Sequence, residues 1–505
     1  MNRKMLSLDL GTTSVKAGLF TENGEMLATA LEEYQLLTPF ANEAELDAEI
    51  YWNASVKTIR TVIEKVNADA TQICGIAISS QGETLIAVDK DGKPLRNAIV
   101  WIDNRAEKEA EILKNALHHV YEVTGIPDVL PTWPGCKIMW MRKHEPDFFS
   151  RTFKFLLVQD FIVYRLCGKF VTNPSICCTS LYFDITKDGW WNDALDAIGI
   201  KENVLPIITP SGTVVGETTD EVNAMLGLSQ PIAVIGGGMD QSVCAIGAGT
   251  ITGGIVSETT GSALCIQMVA DRPDLDTQKL IPVYSHSIPG KYLFVPVCPT
   301  AGMSYKWFRD NFASEEIENA NLSGKDIYEV LNGMAASVPA GSDGLRMLPH
   351  LMGAFCPFSN PSARGSFTGF TLHHTKSHFI RAILESVAYL LRRNLEVMIQ
   401  NGAEFSEVRA TGGGAKSPLW NQIKANVCNL PVVTLQTEDT GLIGDAILVG
   451  LATGIYKDVS EGCEKFVHIR SKILPDQDVE IYNREYANYC LLDDTLGAYF
   501  RNLKQ

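Results

Sequence analysis

The first thirty residues alternate between apolar and polar positions, as β-strands do, and turn residues separate the alternating segments. The segments predict a three-stranded antiparallel meander over residues 5–10, 15–20 and 26–30. Apolar residues then recur at helical spacing from Trp52 to Val66, and residues 73–79 are continuously apolar, as in a buried strand. The chain is therefore predicted to open in the order β-β-β-α-β.

The opening pattern returns in the second half of the chain. Strand-like residues 254–258 and 263–267 flank a turn of hydroxyl residues, as they do at the start of the chain. Within the first half, residues 84–88 and 98–101 predict a hairpin around Asp91-Gly92. We predict an α/β fold of two similar lobes, each a mixed sheet flanked by helices, which face each other across a cleft. The boundary is expected near residue 247, with an N-terminal lobe at residues 1–247 and a C-terminal lobe at residues 248–505.

The net charge and the cysteine content narrow the range of partners and functions that the sequence allows. The 505 residues contain 43 Lys and Arg against 59 Asp and Glu, a net charge of −16, which disfavours nucleic acid or an anionic membrane as partner. The 12 cysteines form no C-x-x-C pair, and no apolar run reaches about 18 residues, so we expect a cytoplasmic protein with reduced thiols. His373, His374 and His378 have no cysteine or patterned carboxylate beside them in the sequence, and we interpret them as loop and helix-start residues rather than zinc ligands.

Two turns rich in hydroxyl residues are candidate phosphate loops. The first, Gly11-Thr12-Thr13-Ser14, follows Asp9, whose carboxylate at the strand end could hold the hydration shell of Mg²⁺. The second, Thr259-Thr260-Gly261-Ser262, occupies the matching place in the other lobe. Either turn alone could be an ordinary hairpin turn. Their repetition favours two loops that close on one polyphosphate.

Two glycine runs also follow predicted strands. Gly236-Gly237-Gly238 precedes Asp240, which is either a helix N-cap or a general base that accepts a proton from an attacking hydroxyl. The second run, residues 412–414, precedes Ser417 as a predicted N-cap and Pro418 at the first helical position. It is either a tight strand–helix connection or an adenosine site, in which a flat ring lies on the glycines and the phosphate meets helix N–H groups.

These motifs, in this order, resemble those of the FGGY family of carbohydrate kinases. The matching segments cover most of the chain: Asp9-Leu-Gly-Thr-Thr-Ser14, Gly238-Met-Asp-Gln241, Pro361-Ser-Ala-Arg-Gly365 and Gly412-Gly-Gly-Ala-Lys-Ser-Pro-Leu-Trp-Asn-Gln422. The resemblance implies two actin-like, ribonuclease H-like lobes, with ATP and Mg²⁺ as cofactors. It implies that Asp240 is the catalytic base and that Asp9 organises Mg²⁺ through water. The expected nucleotide-binding residues are Asp9, Gly11, Thr12, Thr13, Ser14, Lys16, Thr260, Gly261, Ser262, Gly413, Gly414 and Ala415.

Two segments resemble the substrate wall of the family. Trp101-Ile-Asp103-Asn-Arg105 is similar to the Trp-x-Asp-x-Arg run of xylulokinases, whereas Gln81-Gly82-Glu83-Thr84 is similar to the Gln-Arg-Glu-Thr run of glycerol kinases with glycine in place of arginine. That glycine predicts a larger pocket than glycerol needs. The expected substrate-binding residues are Gln81, Glu83, Trp101, Asp103, Asp240 and Gln241.

The sequence therefore predicts a kinase for the terminal hydroxyl of a small open-chain sugar, with a ketopentose such as xylulose as the preferred substrate. Glycerol or a four-carbon polyol is the alternative within the enzyme class. An actin-like nucleotide switch, which would need no sugar pocket, is the alternative from another class. A homodimer is the assembly we consider, although no residue pattern decides it.

Overall fold

The computed structural model describes residues 3–66, 72–274 and 276–503. A six-stranded mixed sheet organises the N-terminal half, in the spatial order β13-β14-β5-β1-β2-β3. The strands of this half are β1 (Lys4–Leu10), β2 (Ser14–Thr21), β3 (Met26–Glu33), β4 (Glu45–Leu46), β5 (Ile73–Ser80), β6 (Ile86–Val88), β7 (Ala98–Ile99), β8 (Lys154–Leu156), β9 (Val171–Thr172), β10 (Phe183–Asp184), β11 (Gly189–Trp190), β12 (Ile207–Ile208), β13 (Val214–Glu217) and β14 (Ala233–Met239). Its helices are α1 (Ala48–Val66), α2 (Glu107–Ala116), α3 (Val120–Thr124), α4 (Pro134–His144), α5 (Pro146–Arg151), α6 (Val158–Cys167), α7 (Pro174–Cys177), α8 (Asn192–Ile198), α9 (Asp220–Leu226) and α10 (Asp240–Gly247).

A second mixed sheet, of eight strands, organises the C-terminal half. Its central order is β18-β16-β15-β22-β23. The strands are β15 (Ile255–Thr260), β16 (Leu264–Ala270), β17 (Val283–Ser285), β18 (Tyr292–Phe294), β19 (Val297–Cys298), β20 (Arg346–Leu348), β21 (Ser366–Thr368), β22 (Glu407–Thr411), β23 (Val432–Leu435) and β24 (Ile469–Ile473), of which β20 and β21 form a separate pair. The helices are α11 (Gly302–Phe312), α12 (Ser314–Ser323), α13 (Ile327–Ala336), α14 (Lys376–Gln400), α15 (Pro418–Cys428), α16 (Thr440–Ala452), α17 (Val459–Phe466) and α18 (Val479–Asn502).

The two sheets repeat one arrangement, which confirms the predicted fold class. In the first half, β1 pairs antiparallel with β2 and parallel with β5, and β5 pairs parallel with β14. In the second half, β15 pairs antiparallel with β16 and parallel with β22, and β22 pairs parallel with β23. The predicted opening meander and the helix and strand that follow it are present at nearly the predicted bounds. Each half therefore begins with a hairpin whose turn can meet a ligand from one side of a cleft.

The predicted hairpin at residues 84–101 is present in part, because Leu85 and Ile99 exchange both backbone hydrogen bonds, each at 3.0 Å. A turn does form around Gly92, whose amide donates to the carbonyl of Asp89. However, β6 pairs with β8 and β7 pairs with β4, and between the two segments only isolated bridges such as Leu85–Ile99 form. Apolar alternation predicts a strand but does not identify its partner strand. Here the partner strands, β4 and β8, lie in segments that are distant in the sequence from β7 and β6.

Helices α10 and α16 join the halves at very close range. A Cβ atom at Gly247 would lie 1.8 Å from the carbonyl oxygen of Thr440, and one at Gly444 would lie 2.1 Å from that of Val243. Only glycine fits at either position, because any side chain would collide with backbone that cannot move aside. The first turn of α10, which begins at Asp240, is thus held in a fixed place against the C-terminal half. Among the described residues, no helix combines the length and apolarity needed to cross a membrane.

Candidate active site

The first hydroxyl turn closes the β1–β2 hairpin as the sequence predicts. Gly11 donates its amide to the carbonyl of Ser14 at 2.9 Å, and Asp9 pairs in register with Lys16 on the next strand. The Lys16 ammonium lies 2.9 Å from the carboxylate of Asp439, which belongs to the C-terminal half. The turn and Asp9 are therefore at the boundary between the two halves, where a ligand held by both would lie.

The carboxyl group of Asp9 is largely buried and therefore poorly solvated. Burial raises its pKa from 3.8 to about 6; the nearby Lys16 opposes this and Asp439 adds to it. A Cβ at Gly441, in the first turn of α16, would lie 3.1 Å from Asp9 Oδ2, so glycine leaves one side of the carboxyl group open. A cation beside Asp9 would therefore favour its charged form.

Asp240 is the first residue of α10, directly after β14. The strand continues through the three glycines, and Gly238 has a φ of 132° that favours glycine. Met239, not Asp240, occupies the N-cap position, and the Asp240 side chain makes one hydrogen bond among the described residues, from the amide of Gln241 at 2.6 Å. The capping interpretation of Asp240 is therefore wrong, and its other carboxyl oxygen is available to a ligand.

The carboxyl groups of Asp9 and Asp240 are close enough for the charge of one to affect the pKa of the other. Burial, and to a smaller extent the charge of Asp9, raises the pKa of Asp240 from 3.8 to about 7. The two carboxylates disfavour each other's ionisation. Their oxygens are the ligand type that Mg²⁺ prefers, so together they form a suitable donor set for a hydrated divalent cation. The residues present thus fit Mg²⁺, with Asp9 as the residue that would hold it.

Glu83 lies near Asp240 in a strained loop. Its φ is +54°, a left-handed conformation that is costly for a glutamate and that a surrounding structure must enforce. Lys137 helps to hold this backbone conformation, because its fully buried ammonium donates hydrogen bonds to the carbonyl oxygens of Glu83 at 2.9 Å and Val100 at 3.0 Å. Burial and the charge of Asp240 raise the pKa of Glu83, and burial lowers the pKa of Lys137. Lys137 therefore joins the two segments of the expected substrate wall.

Two glutamines flank this region. Gln81 is 3% exposed and donates its amide to the hydroxyl of Tyr51 at 2.9 Å, while its Oε1 atom is buried without a partner among the described residues. Gln241 accepts a hydrogen bond from Gln267 at 2.6 Å. A Cβ at Gly82 would lie 3.0 Å from the side chain of Thr179, so Thr179 packs directly against this glycine. The larger pocket expected from this glycine stays a prediction.

A cavity of about 550 Å³ lies between the second hydroxyl turn and the second glycine run. Ser417 caps α15 by accepting the amide of Trp420 at 3.2 Å, with Pro418 first in the helix, as predicted. Among the residues predicted to bind nucleotide, Thr260, Gly261, Ser262, Gly413 and Gly414 line the cavity, and Ala415 does not. Its volume is in the range typical of ligand sites.

Models of a known protein family match both halves of the chain. The N-terminal domain of the FGGY family of carbohydrate kinases matches residues 4–247, and its C-terminal domain matches residues 257–453. The chain belongs to the FGGY family. It is therefore a carbohydrate kinase.

Members of the FGGY family with different named substrates are similar to the chain. A xylulose kinase of Bacillus subtilis (strain 168) is 29% identical over 487 residues, which cover 96% of this chain and 95% of that protein. A gluconokinase of the same organism is 32% identical over 459 residues, 90% and 88% of the two chains. The solved structure of a ligand-bound xylulose kinase from Lactobacillus acidophilus has a TM-score of 0.91 at 27% identity and covers 99% of this chain and 100% of that chain.

Within this FGGY kinase, Asp103 does not have the place that the sequence suggested. It is fully buried, and its oxygens accept hydrogen bonds from the Ala44 amide at 2.6 Å and from the Arg105 guanidinium at 2.8–3.0 Å. Arg105 also lies 2.9 Å from Glu45. These hydrogen bonds occupy both oxygens of the carboxylate. Asp103 therefore connects the segments that contain Ala44 and Arg105, and it presents no surface to a substrate.

Several residues of the site carry no motif that sequence reasoning could use. The C-terminal helices α11 and α13 supply one wall of the 550 Å³ cavity, including Tyr305, Tyr328 and Asn332. Tyr284 of β17 is close enough to Glu83 and Asp240 for their charges to raise the pKa of its phenol, although burial is the larger cause.

The fold brings a carboxylate that is distant in the sequence, that of Asp343, next to His373 and His378. Asp343 Oδ2 lies 3.2 Å from His378 Nε2 and 3.5 Å from His373 Nε2, and the three ligand-type atoms lie within 4.8 Å of one another. However, Nδ1 of His378 accepts the Thr375 amide at 3.1 Å, which places the proton of the neutral ring on Nε2. That nitrogen then donates to Asp343, so its lone pair is not available to a metal ion.

Proposed function

We propose that the chain transfers the γ-phosphoryl group of ATP to the terminal hydroxyl of an open-chain ketopentose such as xylulose, with Mg²⁺ as cofactor. The observation that carries the proposal is Asp240: a carboxyl group beside Asp9 and Glu83, at the boundary between the halves, with one oxygen that has no hydrogen-bond partner among the described residues. The family relationship and the similarity to xylulose kinases support the same choice.

Each group of the site has a role in this reaction. Adenosine lies in the cavity at Gly413 and Gly414, and the polyphosphate extends toward the turns at Thr12 and Gly261. Asp240 accepts the proton of the attacking hydroxyl, for which a pKa of about 7 suits a general base near neutral pH. Mg²⁺, when bound, supplies charge neutralisation on the phosphates. Asp9 holds it, and closure of the halves excludes water that would hydrolyse ATP.

The sugar is bound by polar groups around Asp240. Gln81 Oε1, which is buried and has no partner within the described part of the chain, is an acceptor for a sugar hydroxyl. Glu83, fixed in its strained conformation by Lys137, supplies a second polar group at the wall. A substrate too short to reach these groups would leave them unpaired, and an unpaired buried group costs binding energy.

Gluconate is a second candidate substrate, because a gluconokinase is 32% identical to the chain. The test is ADP release measured with a panel of pentuloses, hexuloses, polyols and aldonates at fixed ATP and Mg²⁺. We expect the best ketopentose to give the highest kcat/KM. A higher kcat/KM with gluconate would overturn the choice of substrate but not the kinase assignment.

A further inference from the structure

A lysine and a glutamate lie buried beneath the second hydroxyl turn, outside the groups that react. Lys424 Nζ lies 2.5 Å from Glu258 Oε1 and donates to Thr260 Oγ1 at 2.9 Å, while the Thr260 hydroxyl donates to Glu258 Oε2 at 2.6 Å. Glu258 and Lys424 are fully buried and Thr260 is 1% exposed. The three side chains form a closed ring of hydrogen bonds that no solvent reaches. We call this ring the Lys424 clamp.

The local structure explains why these residues meet. Glu258 and Thr260 are two positions apart on β15, so their side chains point to the same face of the sheet. Lys424 lies on α15, one turn after Trp420, and its ammonium is 5.1 Å from the centre of the Trp420 ring. Trp420 itself lines the nucleotide cavity. The clamp therefore connects the strand that carries the second turn to the helix that follows the glycine run.

The clamp also touches the glycine run directly. A Cβ at Gly414 would lie 2.6 Å from Thr260 Cβ, so this glycine packs against the clamped threonine. The hydroxyl proton of Thr260 is already donated to Glu258, and its oxygen accepts from Lys424. Thr260 therefore has no proton left for a phosphate oxygen, in contrast to the expectation that it would act as a donor.

We propose that Glu258 and Lys424 are positioning residues for the nucleotide. The ion pair fixes Thr260, and Thr260 holds the turn at Gly261 and Ser262 in register with Gly413 and Gly414, so that both sides of the cavity meet one nucleotide. A buried ion pair adds little net stability compared with an apolar pair, but it fixes geometry, which matters where two loops must meet one ligand. The inference rests on the proposed function, that the cavity takes ATP.

The test uses three variants of the full chain: Lys424→Met, Glu258→Gln and the double variant Lys424→Met/Glu258→Gln. The control is Lys376→Met, which removes a lysine that pairs with Glu316 at 2.8 Å elsewhere in the C-terminal half. The affinity for ADP is measured by calorimetry at a temperature at which circular dichroism shows each variant to be folded. The KM for the sugar and the Tm are measured in parallel.

We expect Lys424→Met and Glu258→Gln to weaken ADP binding by at least about tenfold, because small misplacement of a binding loop has effects of this size, and to leave the KM for the sugar within about threefold. Lys424→Met should also lower the Tm, since it leaves the Glu258 carboxylate buried and unpaired. The double variant removes that stranded charge, so its Tm should recover while ADP binding stays weak. Lys376→Met should bind ADP as the unaltered chain does.

Recovery of both the Tm and the ADP affinity in the double variant would overturn the inference, because the loss would then come from the stranded charge alone. Unchanged ADP binding in all three variants would also overturn it. If Lys424→Met does not fold, the ADP affinity of Glu258→Gln, which keeps the shape of the side chain, decides. Unchanged ADP binding in that variant would then overturn the inference. Failure of the unaltered chain to bind ADP is a different result: it would overturn the proposed function and this inference together.

Discussion

Trp101 donates its indole N–H to the hydroxyl of Thr12 at 2.8 Å. Trp101 belongs to the segment expected to form the sugar wall, and its own amide donates to Thr84 Oγ1 at 3.0 Å, while Thr12 belongs to the first hydroxyl turn. The tryptophan therefore links the expected sugar wall to the first hydroxyl turn. Trp101 is 39% exposed.

Trp101→Phe keeps an aromatic ring and removes this donor. Because the bond orders the phosphate turn, we expect the KM for ATP to rise and kcat to fall, together by about five- to tenfold in kcat/KM for ATP, the size of one hydrogen bond. Thr12→Val should have a similar effect. Steady-state kinetics of the two single variants and the double variant form a cycle. Losses that simply add would contradict a direct link between the two residues.

The sequence predicts the parts of the site that depend on local pattern. The hairpin β1–β2 and its turn follow from alternation and turn chemistry, and the Ser417-Pro418 helix start follows from capping preferences. The burial of Asp103 could not be predicted, because its partner amide, Ala44, is 59 residues away in the chain. Lys424 gave no signal either, since nothing near it in the sequence indicates that a lysine on an amphipathic helix will face a glutamate on a distant strand.

Asp240→Asn preserves the shape of the side chain and removes the proton acceptor. We expect kcat to fall by about 10² to 10⁴, the usual cost of losing a general base, while the calorimetric affinity for ADP changes little. A loss in kcat of less than about tenfold for Asp240→Asn would contradict its assignment as the base.

Asp9→Ala removes the carboxylate assigned to Mg²⁺. We expect turnover to fall severely at ordinary Mg²⁺ concentration and the Mg²⁺ dependence of the remaining rate to move to higher concentration, because water must replace the lost anchor. The measurement is a Mg²⁺ titration of the initial rate at saturating ATP. Retention of the original kcat and Mg²⁺ dependence would show that Asp9 does not organise the metal ion.

The raised pKa of Asp240 links activity and stability to pH. The base must be ionised, so kcat/KM for the sugar should fall tenfold per pH unit below about pH 7. The folded chain binds this proton more tightly than the unfolded chain, whose carboxyl has the ordinary value of 3.8, so the Asp240 carboxylate costs stability above pH 7 and nothing below pH 3.8. Asp240→Asn should therefore raise the Tm at pH 8 and have a smaller effect as the pH falls. An equal change in Tm at pH 8 and at acidic pH would contradict this account.

Glu83→Gln tests the polar wall. The glutamine keeps the size of the side chain but replaces one carboxyl oxygen with an NH₂ group, which can only donate, so it should reduce kcat/KM for a ketopentose more than for glycerol, which is too short to use the whole wall. Kinetics with both substrates give the ratio directly. Equal losses for the two would indicate that Glu83 supports the fold of the loop rather than the choice of substrate.

The most direct test of the central claim is ADP release by the unaltered chain, with and without sugar, at saturating ATP and Mg²⁺. We predict slow turnover alone and a sharp rise with a ketopentose, whose kcat/KM exceeds that for glycerol by at least about a hundredfold, the scale set by a few lost hydrogen bonds. Glycerol that equals or exceeds every pentulose, or ATP turnover that no sugar increases, would contradict the account.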